Sequence, residues 1–584
     1  MSRQARRSGA DIVWEGLSRH GVDRVFGYPG GAILPTYDAL DRHPGIHHVL
    51  CRHEQGATHM ADGYARASGR PGVVLATSGP GATNLVTGLG TAMMDSSPVV
   101  CITGQVPTTA MGGDAFQECD TTGVAAPVTK HAYLVREVDD LPLVLDEALT
   151  LAVSGRPGPV LVDIPKDVQN ACTEAPWPDT PVRLPGSPQA ELDPDTLKAA
   201  LDLIESARRP VILAGHGILL SGASDELLAF AERRSIPVAL TLLGKGCLPE
   251  AHPLCLGMMG MHGTAPANRA IQEADLLLAF GMRFDDRVTG NLATYAPSAR
   301  KLHIDIDAAE IGKNVAVDVG IVGDLRPVLS SLLEHLAPLN DAAADAAGEW
   351  RDEIASWTRD ADERDVLRRP QIDDSLLAAE VIDALFRHTG GDVINVTDVG
   401  QHQMWEAQYY PHSRPGTLVT SGGMGTMGFA LPAALGVKMA RPDEEVWAIA
   451  GDGGFQMTQA ELATAVQEGI ELKVTVINNG YLGMVRQWQE FFYDRRYLAT
   501  PVLSPDFCRL AEAYGIPALR VSRREDLGPA IDRLRAHRGG PILAEFVVEQ
   551  HDAVYPMVPA GADLDAMIRR PHPDPRPNPE PVRV

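Results

Sequence analysis

Two short polar motifs in the C-terminal part of the chain could hold a divalent cation. One is Gly451-Asp452-Gly453, and the other, Asn478-Asn479, follows after 24 intervening residues. Asp452 offers a carboxylate and Asn479 an amide oxygen, ligands that Mg²⁺ accepts together with phosphate oxygens. Each motif alone is also an ordinary turn sequence. Their combination at two strand ends predicts an anchor for Mg²⁺ and a diphosphate group.

The apolar runs around these motifs predict the elements that position them. Residues 445–450 and 472–477 are typical of buried parallel strands, and residues 458–468 have apolar side chains at helical spacing. Gly453 and Gly454 allow the backbone to come close to a ligand. Because ligands of open α/β sheets bind outside the carboxyl ends of the strands, we expect both motifs to line one site.

Glu54 is a second candidate, and it lies in a separate α/β pattern near the N-terminus. A carboxylate at the start of a helix is often only a favourable partner of the helix dipole. The apolar surroundings of Glu54 also suit a partly buried acid with a raised pKa, as proton transfer requires. We expect the nearby pair His47-His48 to serve packing rather than catalysis. Four strands are predicted in this pattern: 24–27, 49–50, 72–77 and 98–103.

A third α/β pattern lies between these two and is typical of nucleotide-binding sheets. The turn Gly215-His216-Gly217 follows its first strand, although a lone GxG is as often a structural turn. An acidic residue at a strand end, such as Asp305, could hold ribose hydroxyls. Four strands are predicted in this pattern: 210–214, 237–241, 275–280 and 301–306.

The sequence thus predicts an α/β protein with three doubly wound parallel-sheet domains. We expect residues 338–375 to be helical and exposed, and the proline-rich tail to be flexible. The predicted ranges are 1–171, 196–337 and 376–569 for the domains, 172–195 and 338–375 for the linkers, and 570–584 for the tail.

Composition narrows the classes of partner. The net charge of −25 argues against nucleic acid and against an anionic membrane surface. The seven cysteines include no CxxC pair, so neither a zinc site nor a disulfide framework is indicated. Because no apolar run reaches the length of a membrane span and no apolar signal segment follows the N-terminus, we expect a cytoplasmic protein.

Twelve segments of the chain, spread over residues 8 to 569, match the pattern of one enzyme family. They are YPGGAILPTYDAL, RHEQGATHMADGYARASG, ATSGPGATN, TGQVP, DAFQE, DIPKDVQ, LGMMGMHG, GMRFDDRVTG, VGQHQMW, SGGMGTMGFALPAA, INNGYLGMVRQWQEFFY and VYPMVPAGADLDAM. On these segments the chain resembles a family of thiamine diphosphate (ThDP) enzymes, the catalytic large subunit of acetohydroxyacid synthase (acetolactate synthase). The resemblance implies a pyrimidine-binding domain, a central FAD-binding-type domain and a domain that binds diphosphate and Mg²⁺.

The family resemblance implies a transferase of branched-chain amino acid biosynthesis, which leads to valine, leucine and isoleucine. Such an enzyme decarboxylates pyruvate on ThDP and joins the hydroxyethyl unit to a second 2-oxo acid. Pyruvate then gives 2-acetolactate, and 2-oxobutyrate gives 2-aceto-2-hydroxybutyrate. The implied cofactors are ThDP, Mg²⁺ and FAD, the last without a net redox role. The implied assembly is a homodimer or tetramer with active sites at the subunit interface and a small regulatory subunit.

The resemblance also implies roles for individual residues. The Mg²⁺ ligands are Asp452, Asn479 and the carbonyl of Tyr481, and Glu54 is the partner of the cofactor's N1′. Met427, which would otherwise be an ordinary core methionine, is the apolar wedge that bends the cofactor. Gly31 and Gln105 lie near the reacting carbon, and Phe116, Lys130, Arg283 and Trp488 are residues of the second substrate or its channel. The other ThDP contacts are Tyr28, Pro29, Gly30, Asn84, Val399, Gly400, Gln401, His402, Gly425, Gly451, Gly453, Gly454, Leu482, Gly483 and Met484. The FAD contacts are Gly215, Thr241, Leu242, Met261, His262, Gly281, Arg283, Asp285, Arg287, Asp305, Ile306 and Asp324.

One departure and several alternatives stay open at this point. Many family members carry an arginine, a candidate FAD contact, where this chain has Ala126, so the sequence leaves the flavin affinity open. Glyoxylate carboligases lack the activating glutamate that Glu54 provides. Pyruvate oxidases, decarboxylases with a histidine pair and a non-catalytic cofactor-binding relative are further alternatives. The presence of Glu54, Asp452 and Asn479 favours the synthase.

Overall fold

The frame of the molecule is three parallel β-sheets, each of six strands with helices on its faces. The computed structural model describes residues 6–179, 192–369 and 375–572. The three sheets confirm the predicted α/β class with doubly wound domains. The strands of each sheet lie within one of the predicted domain ranges, and the boundaries of those ranges stay predictions.

The first domain surrounds the sheet with spatial order β3-β2-β4-β5-β7-β6. Two strands of this sheet were not predicted from the sequence: β6, which is a partly exposed edge strand, and β7, whose apolar run is interrupted by Asp163. The short separate pair of β1 and β8 was not predicted either. Its strands are β1 Arg7–Ser8, β2 Arg24–Gly27, β3 His47–Leu50, β4 Gly72–Ala76, β5 Val99–Gln105, β6 His131–Leu134, β7 Val160–Pro165 and β8 Cys172–Thr173. Its helices are α1 Gly9–Arg19, α2 Leu34–Ala39, α3 Glu54–Ser68, α4 Pro80–Thr83, α5 Val86–Asp95, α6 Thr121–Ala125, α7 Leu141–Val153 and α8 Lys166–Asn170.

The middle domain has the strand order of dinucleotide-binding sheets, β11-β10-β9-β12-β13-β14. The two outermost strands, β11 and β14, were not predicted. Its strands are β9 Pro210–Ala214, β10 Val238–Leu240, β11 Cys255–Met258, β12 Leu276–Phe280, β13 Arg300–Asp305 and β14 Val319–Val322. Its helices are α9 Pro194–Ser206, α10 His216–Ser221, α11 Ser224–Arg234, α12 Ala265–Glu273, α13 Asp286–Thr289, α14 Leu325–His335 and α15 Asp341–Glu363.

The third domain has the sheet order β16-β15-β17-β18-β20-β19. The edge strand β19, in which polar and apolar residues mix, was not predicted. Its strands are β15 Ile394–Thr397, β16 Leu418–Thr420, β17 Val446–Gly451, β18 Lys473–Asn478, β19 Ala518–Val521 and β20 Ile542–Val547. Its helices are α16 Ala378–Thr389, α17 Gln401–Tyr409, α18 Ala430–Ala440, α19 Asp452–Thr458, α20 Leu462–Gln467, α21 Gly483–Phe492, α22 Phe507–Ala513 and α23 Leu527–Ala536.

Helices α3 and α18 join the first and third domains within one chain. They cross at backbone contact distance, because a Cβ on Gly63 would lie 2.1 Å from the carbonyl oxygen of Ala433. A Cβ on Gly436 would likewise lie 1.9 Å from the carbonyl oxygen of Met60. One buried apolar cluster runs across this crossing and continues into both sheets. Glycine at the crossing therefore sets how closely the two domains pack.

The predicted linkers are more structured than the sequence suggests. Within the second predicted linker, Asp341–Glu363 form the helix α15, which is mostly exposed as predicted, but Trp350 and Trp357 on one face are buried against the middle domain. Their rings pack edge to face with centroids 5.7 Å apart. In the first linker, β8 pairs antiparallel with β1. Residues 180–191, 370–374 and 573–584, the last with most of the predicted flexible tail, lie outside the described residues. Among the described residues, no helix has both the length and the apolar character of a membrane span.

Candidate active site

The two cation-ligand motifs meet at the carboxyl ends of adjacent strands. β17 and β18 pair in parallel, with Gly451 beside Ile477, so Asp452 and Asn479 follow at one sheet edge. Both side chains are buried. Helix α19 begins at Asp452, six residues earlier than the predicted helix start, so that Gly453 and Gly454 lie in its first turn.

The electrostatics of this pair suit a divalent cation. Burial raises the pKa of Asp452 to about 6, and hydrogen bonds from Ser504 and from backbone N–H groups act against that rise. The Ser504 hydroxyl donates to Oδ2 of Asp452 at 3.0 Å. Oδ1 of Asn479 accepts the N–H of Tyr481 at 3.0 Å and keeps one lone pair. Two buried oxygens beside each other are the donor chemistry of a Mg²⁺ site that phosphate oxygens complete.

Glycines around the motif bring a second loop against it. A Cβ on Gly451 would lie 2.9 Å from the ring of His402, and a Cβ on Gly453 would lie 2.7 Å from Leu482. Gly400, with a φ of +152°, turns the backbone into α17 next to this contact. The predicted diphosphate residues of loops 399–402 and 451–454 are therefore brought together. Side chains at these glycines would displace the loops.

His402 carries a buried nitrogen that has no protein partner. Its side chain is buried, and Nε2 makes no hydrogen bond within the described residues. Burial lowers the pKa of His402 to about 4, so the ring is neutral near pH 7. A buried polar atom without a partner is costly in a protein interior. A bound polar group such as a diphosphate would satisfy it.

Asp398, which the sequence analysis did not single out, is hydrogen-bonded to the backbone of two loops at this site. Its Oδ1 accepts the N–H of Val399 at 2.7 Å and that of Gly428 at 2.8 Å. A Cβ on Gly454 would lie 2.8 Å from its carboxyl group. Asp398 thus holds the loop with Met427 next to the metal motif. The only signal in the sequence was its place at the end of β15.

Glu54 lies apart from the metal motif, at the carboxyl ends of β2, β3 and β4. It is the first residue of α3 and 8% exposed, and its Oε2 accepts a hydrogen bond from Asn84 at 2.9 Å. The glycine-rich turn after β2 packs on Thr77, since a Cβ on Gly30 would lie 2.5 Å from it, and a Cβ on Gly81 would contact both Thr77 and Oε1 of Glu54. Gly31 and Tyr28 are exposed on the same turn. The predicted pyrimidine-side residues therefore gather on an open face of the first domain.

Two residues predicted near the substrate point into the protein instead. The Gln105 amide nitrogen donates to the carbonyl of Cys119 and to Oδ2 of Asp163, both at 2.8 Å. The Lys130 ammonium donates to three backbone carbonyls of its own domain. Both side chains are thus engaged by protein groups, and their predicted substrate contacts stay predictions. Phe116 is 88% exposed, on the loop between β5 and α6.

A cavity of about 840 Å³ opens between the three domains. Predicted residues of both cofactors and of the second substrate line it together. Gly215 lies just behind its wall, where a Cβ would come within 2.3 Å of the Gly281 carbonyl oxygen. The predicted flavin residues that line the cavity are Thr241, Leu242, Met261, His262, Gly281, Arg283, Asp285, Arg287, Asp305, Ile306 and Asp324. The other predicted residues in its wall are Val399, Gly400, Gly425, Met427, Met484 and Trp488.

Arg156, also not singled out in the sequence, provides a cation in this wall. Its Nε donates to the Ser96 hydroxyl at 2.9 Å, and Nη1 donates to Glu310 at 3.0 Å. Ala126, where the sequence departs from the family, does not line the cavity. Arg156 lies in the turn SGRPGP before β7, and the glycines and prolines of this turn were the available signal in the sequence.

Asp95 ties the three domains together at the cavity. Its carboxylate accepts the N–H groups of Gly422 at 3.0 Å and Gly423 at 2.6 Å from the third domain. Arg66 donates to the same carboxylate at 3.0 Å, and the backbone carbonyl of Asp95 contacts His216 Nδ1 at 3.1 Å. The loop that contains Met427 and the middle domain, which carries the predicted flavin residues, are therefore both hydrogen-bonded to Asp95.

Family models for thiamine pyrophosphate enzymes match the chain in three successive parts. The N-terminal TPP binding domain matches residues 7–124 and the central domain matches residues 197–332. The C-terminal TPP binding domain matches residues 398–546. Glu54 thus falls in the first matched domain, and Asp452 and Asn479 in the third.

Curated relatives cover almost the whole chain. It is 49% identical to the acetolactate synthase large subunit of Corynebacterium glutamicum over 95% of this chain and 89% of that protein. It is 48% identical to the acetolactate synthase large subunit of Lactococcus lactis over 96% of each chain. For the acetolactate synthase isozyme 3 large subunit of Escherichia coli, identity is 46% over 96% of this chain and 98% of that protein. The chain is therefore a ThDP-dependent enzyme of the acetolactate synthase type and belongs to the family of acetolactate synthase large subunits.

Proposed function

We propose that this chain binds ThDP, Mg²⁺ and FAD and condenses pyruvate with a second 2-oxo acid. The products would be 2-acetolactate from pyruvate and 2-aceto-2-hydroxybutyrate from 2-oxobutyrate. The observation that carries the proposal is the buried pair of Asp452 and Asn479 beside the glycine loops of the third domain. A cytoplasmic location and a small regulatory subunit stay predictions.

The third domain would hold the diphosphate end of ThDP. Asp452, Asn479 and the Tyr481 carbonyl would bind Mg²⁺, and the free Nε2 of His402 would face the diphosphate. Met427 would support the bend of the cofactor, since a Cβ on the neighbouring Gly453 would lie only 3.6 Å from its Cε. When bound, ThDP supplies the electron sink that decarboxylation and carbon–carbon bond formation need.

Glu54 would exchange a proton with N1′ of the aminopyrimidine. Its carboxylate is buried and oriented by Asn84, so it presents one defined face to a bound ring. A positioned acid or base of this kind contributes about 10²–10⁴-fold to a rate. Glu54 would thereby hold or release the proton at this ring nitrogen, which is the role of a positioned carboxyl group beside the ring.

Trp488 and Arg283 would select and hold the second 2-oxo acid. Both line the cavity that also contains Met427. The guanidinium of Arg283 is 3.8 Å from Asp285, which is too long for a direct hydrogen bond, so no described residue competes for its donors with a substrate carboxylate. The Trp488 ring can pack against the extra methylene of 2-oxobutyrate, worth about 1–3 kcal/mol. FAD would occupy the remainder of the cavity without a net redox change.

A second copy of the chain would complete each site. Glu54 is not part of the cavity wall that includes Met427, and its hydrogen-bond partner Asn84 belongs to its own domain. The open face around it carries exposed apolar groups, Tyr28 at 42% and Phe116 at 88% exposure. Two-fold assembly would place this face against the third domain of the partner. This arrangement would form a dimer with two shared sites.

The test is the identity of the products. The purified chain with ThDP, Mg²⁺ and FAD is given pyruvate, with and without 2-oxobutyrate, and we expect both acetohydroxy acids. The control variant is Glu232→Gln, which changes an exposed glutamate of the middle domain and leaves turnover unchanged. Acetaldehyde, or acetyl phosphate formed only with oxygen, would instead assign a decarboxylase or an oxidase. ThDP binding without turnover of any 2-oxo acid would also contradict the proposal.

The shared site has its own test. Mixing a Glu54→Gln chain with an Asp452→Ala chain, after subunit exchange, should restore part of the wild-type activity. In a mixed dimer, one of the two sites receives both intact residues. If the mixture stays as inactive as the two variants alone, each chain holds a complete site.

A further inference from the structure

The ammonium group of Lys130 is fully occupied by the backbone of its own domain. Nζ donates to the carbonyls of Leu151 and Ser154 at 2.6 Å each and of Arg156 at 2.9 Å. An ammonium has three N–H donors, so none is left for a substrate. Burial lowers the pKa of Lys130 to about 8, and the group remains largely protonated at neutral pH.

These three carbonyls belong to the end of α7 and to the turn that follows it. The last carbonyls of a helix lack partners within the helix, and a cation there also favours the helix dipole. The rest of the lysine is fixed as well. Its backbone N–H donates to Pro159 at 2.8 Å, and a Cβ on Gly158 would lie 3.0 Å from the lysine stem. Lys130 therefore holds residues 151–159 from one side.

The other side of the same turn faces the cavity between the domains. Arg156 extends from it to Ser96 of the first domain and to Glu310 of the middle domain. Its guanidinium is also 3.4 Å from Asp307. One residue thus gives its carbonyl to Lys130 and its cationic side chain to the cavity wall. A shift of the turn would move that cation relative to any ligand in the cavity.

We propose that Lys130 is a positioning residue that sets the place of Arg156 for an anionic ligand of this cavity. The ligand class is a phosphate-bearing flavin nucleotide, so the inference rests on the flavin site of the proposed function. Arg156 would pair with the ligand's phosphate oxygens, as arginine does in a fixed planar geometry. Lys130 would act on the ligand only through the turn.

The test compares three variants: Lys130→Met, Arg156→Met and the double variant. Methionine keeps the stem that packs on Gly158 and removes all three donors. Flavin binding is followed by flavin fluorescence and ThDP binding by intrinsic tryptophan fluorescence. Each single variant should weaken flavin binding about tenfold, the size of a lost hydrogen bond to a charged group, with ThDP binding unchanged. Saturating flavin should restore turnover.

The double variant decides whether Lys130 acts through Arg156. If it does, Lys130→Met adds little once Arg156 is gone, and the two effects on flavin affinity do not sum. Lys198→Met is the matched control, because Lys198 is a surface residue of the middle domain that pairs with Asp202. Additive effects in the double variant would overturn the proposal. So would a loss of turnover in Lys130→Met that saturating flavin does not restore, as expected of a substrate contact.

Hydrogen exchange separates this inference from the flavin site itself. In the chain without flavin, Lys130→Met should speed exchange at Ser154 and Gly158, whose N–H groups bond within the turn. The Lys198→Met chain should show wild-type exchange there. A wild-type chain that binds no flavin would contradict the proposed function. Faster exchange in Lys130→Met would still support the inference that Lys130 holds residues 151–159 in place. Unchanged exchange in Lys130→Met would overturn the inference that Lys130 holds this turn, whether or not the chain binds flavin.

Discussion

The first and third domains share one topology but carry different chemistry. Numbered within each domain, both main sheets have the strand order 2-1-3-4-6-5, since β3-β2-β4-β5-β7-β6 corresponds to β16-β15-β17-β18-β20-β19. The first strand of one is followed by the turn with Gly30, and the first strand of the other by Asp398 and Gly400. The fold thus gathers loops at the same edge in both domains.

What differs is the side chains in those loops. The third domain places two oxygen ligands, Asp452 and Asn479, after its third and fourth strands. The first domain places a single carboxylate, Glu54, after its second strand and leaves the surrounding face open. One edge suits a cation and a diphosphate, and the other suits proton transfer to a ring. The same fold supports either role, because the chemistry lies in the loops.

The largest effect should come from the metal side of this comparison. Asp452→Ala removes a buried carboxylate from the cation site, so we expect turnover to fall to background and Mg²⁺-dependent ThDP binding to disappear. Intrinsic fluorescence during ThDP titration at several Mg²⁺ concentrations measures this. Asp443→Ala, an exposed position of the same domain, is the control. Unchanged ThDP affinity in Asp452→Ala would assign the cation site elsewhere.

Glu54→Gln should separate chemistry from binding. We expect turnover to fall about 10²–10⁴-fold, because glutamine cannot exchange a proton with the cofactor. ThDP affinity should stay within a few-fold of wild type, since the diphosphate contacts lie on the third domain. Steady-state kinetics and the ThDP titration give the two numbers. A variant that lost ThDP binding to the same degree as Asp452→Ala would remove the distinction between the two edges.

The crossing of α3 and α18 tests how tightly the two domains are joined. Gly63→Ala would place a Cβ 2.1 Å from a backbone oxygen, where flexible side chains cannot relieve the overlap. We expect the free energy of unfolding to fall by about 1–3 kcal/mol, measured in urea. Gly45→Ala is the control, since nothing lies within 4 Å of its added Cβ. Equal stabilities for the two variants would show that the helices can move apart at no cost.

The last prediction concerns two buried acids with a raised pKa, one in each of these two domains. Burial raises the pKa of Asp163 in the first domain and of Asp398 in the third to about 7. The native state therefore binds a proton more tightly than the unfolded chain, whose aspartates titrate near pH 4. Stability from each acid is fully present below about pH 4 and is lost as the pH rises to about 7, at most about 1.4 kcal/mol per pH unit.

Asparagine variants should remove this dependence one domain at a time. The unfolding free energy falls between about pH 4 and pH 7 because the native state binds more protons than the unfolded chain. Asp163→Asn and Asp398→Asn should each reduce the slope of this fall by the contribution of one bound proton. Urea unfolding at pH 5 and pH 7.5 measures the change in slope. A slope that stays at the wild-type value in Asp163→Asn would mean that its carboxyl group is ionised throughout this range.

Much of the site could be predicted from local sequence. The glycine turns, the strand ends and the spacing of Asp452 and Asn479 are short-range patterns, and the segments with family resemblance reinforced them. The edge strands β6 and β19 were missed because they mix polar and apolar residues. The edge strands β11 and β14 were missed because each is only four residues long and contains a glycine. The buried β7 was missed because Asp163 interrupts its apolar run, and its partners Thr103 and Gln105 lie about 60 residues earlier in the chain.

The sequence by itself determined the fold class, the family and the residue types at the strand ends, because these depend on local periodicity and spacing. Tertiary structure alone decided where Gln105 and Lys130 point, that Arg156 joins Arg283 and Arg287 in the cavity wall, and that α15 buries two tryptophans. Each of these depends on groups far apart in the chain, such as Arg156 and Glu310. A side chain's partner is set by packing in three dimensions, and no local pattern in the chain encodes it.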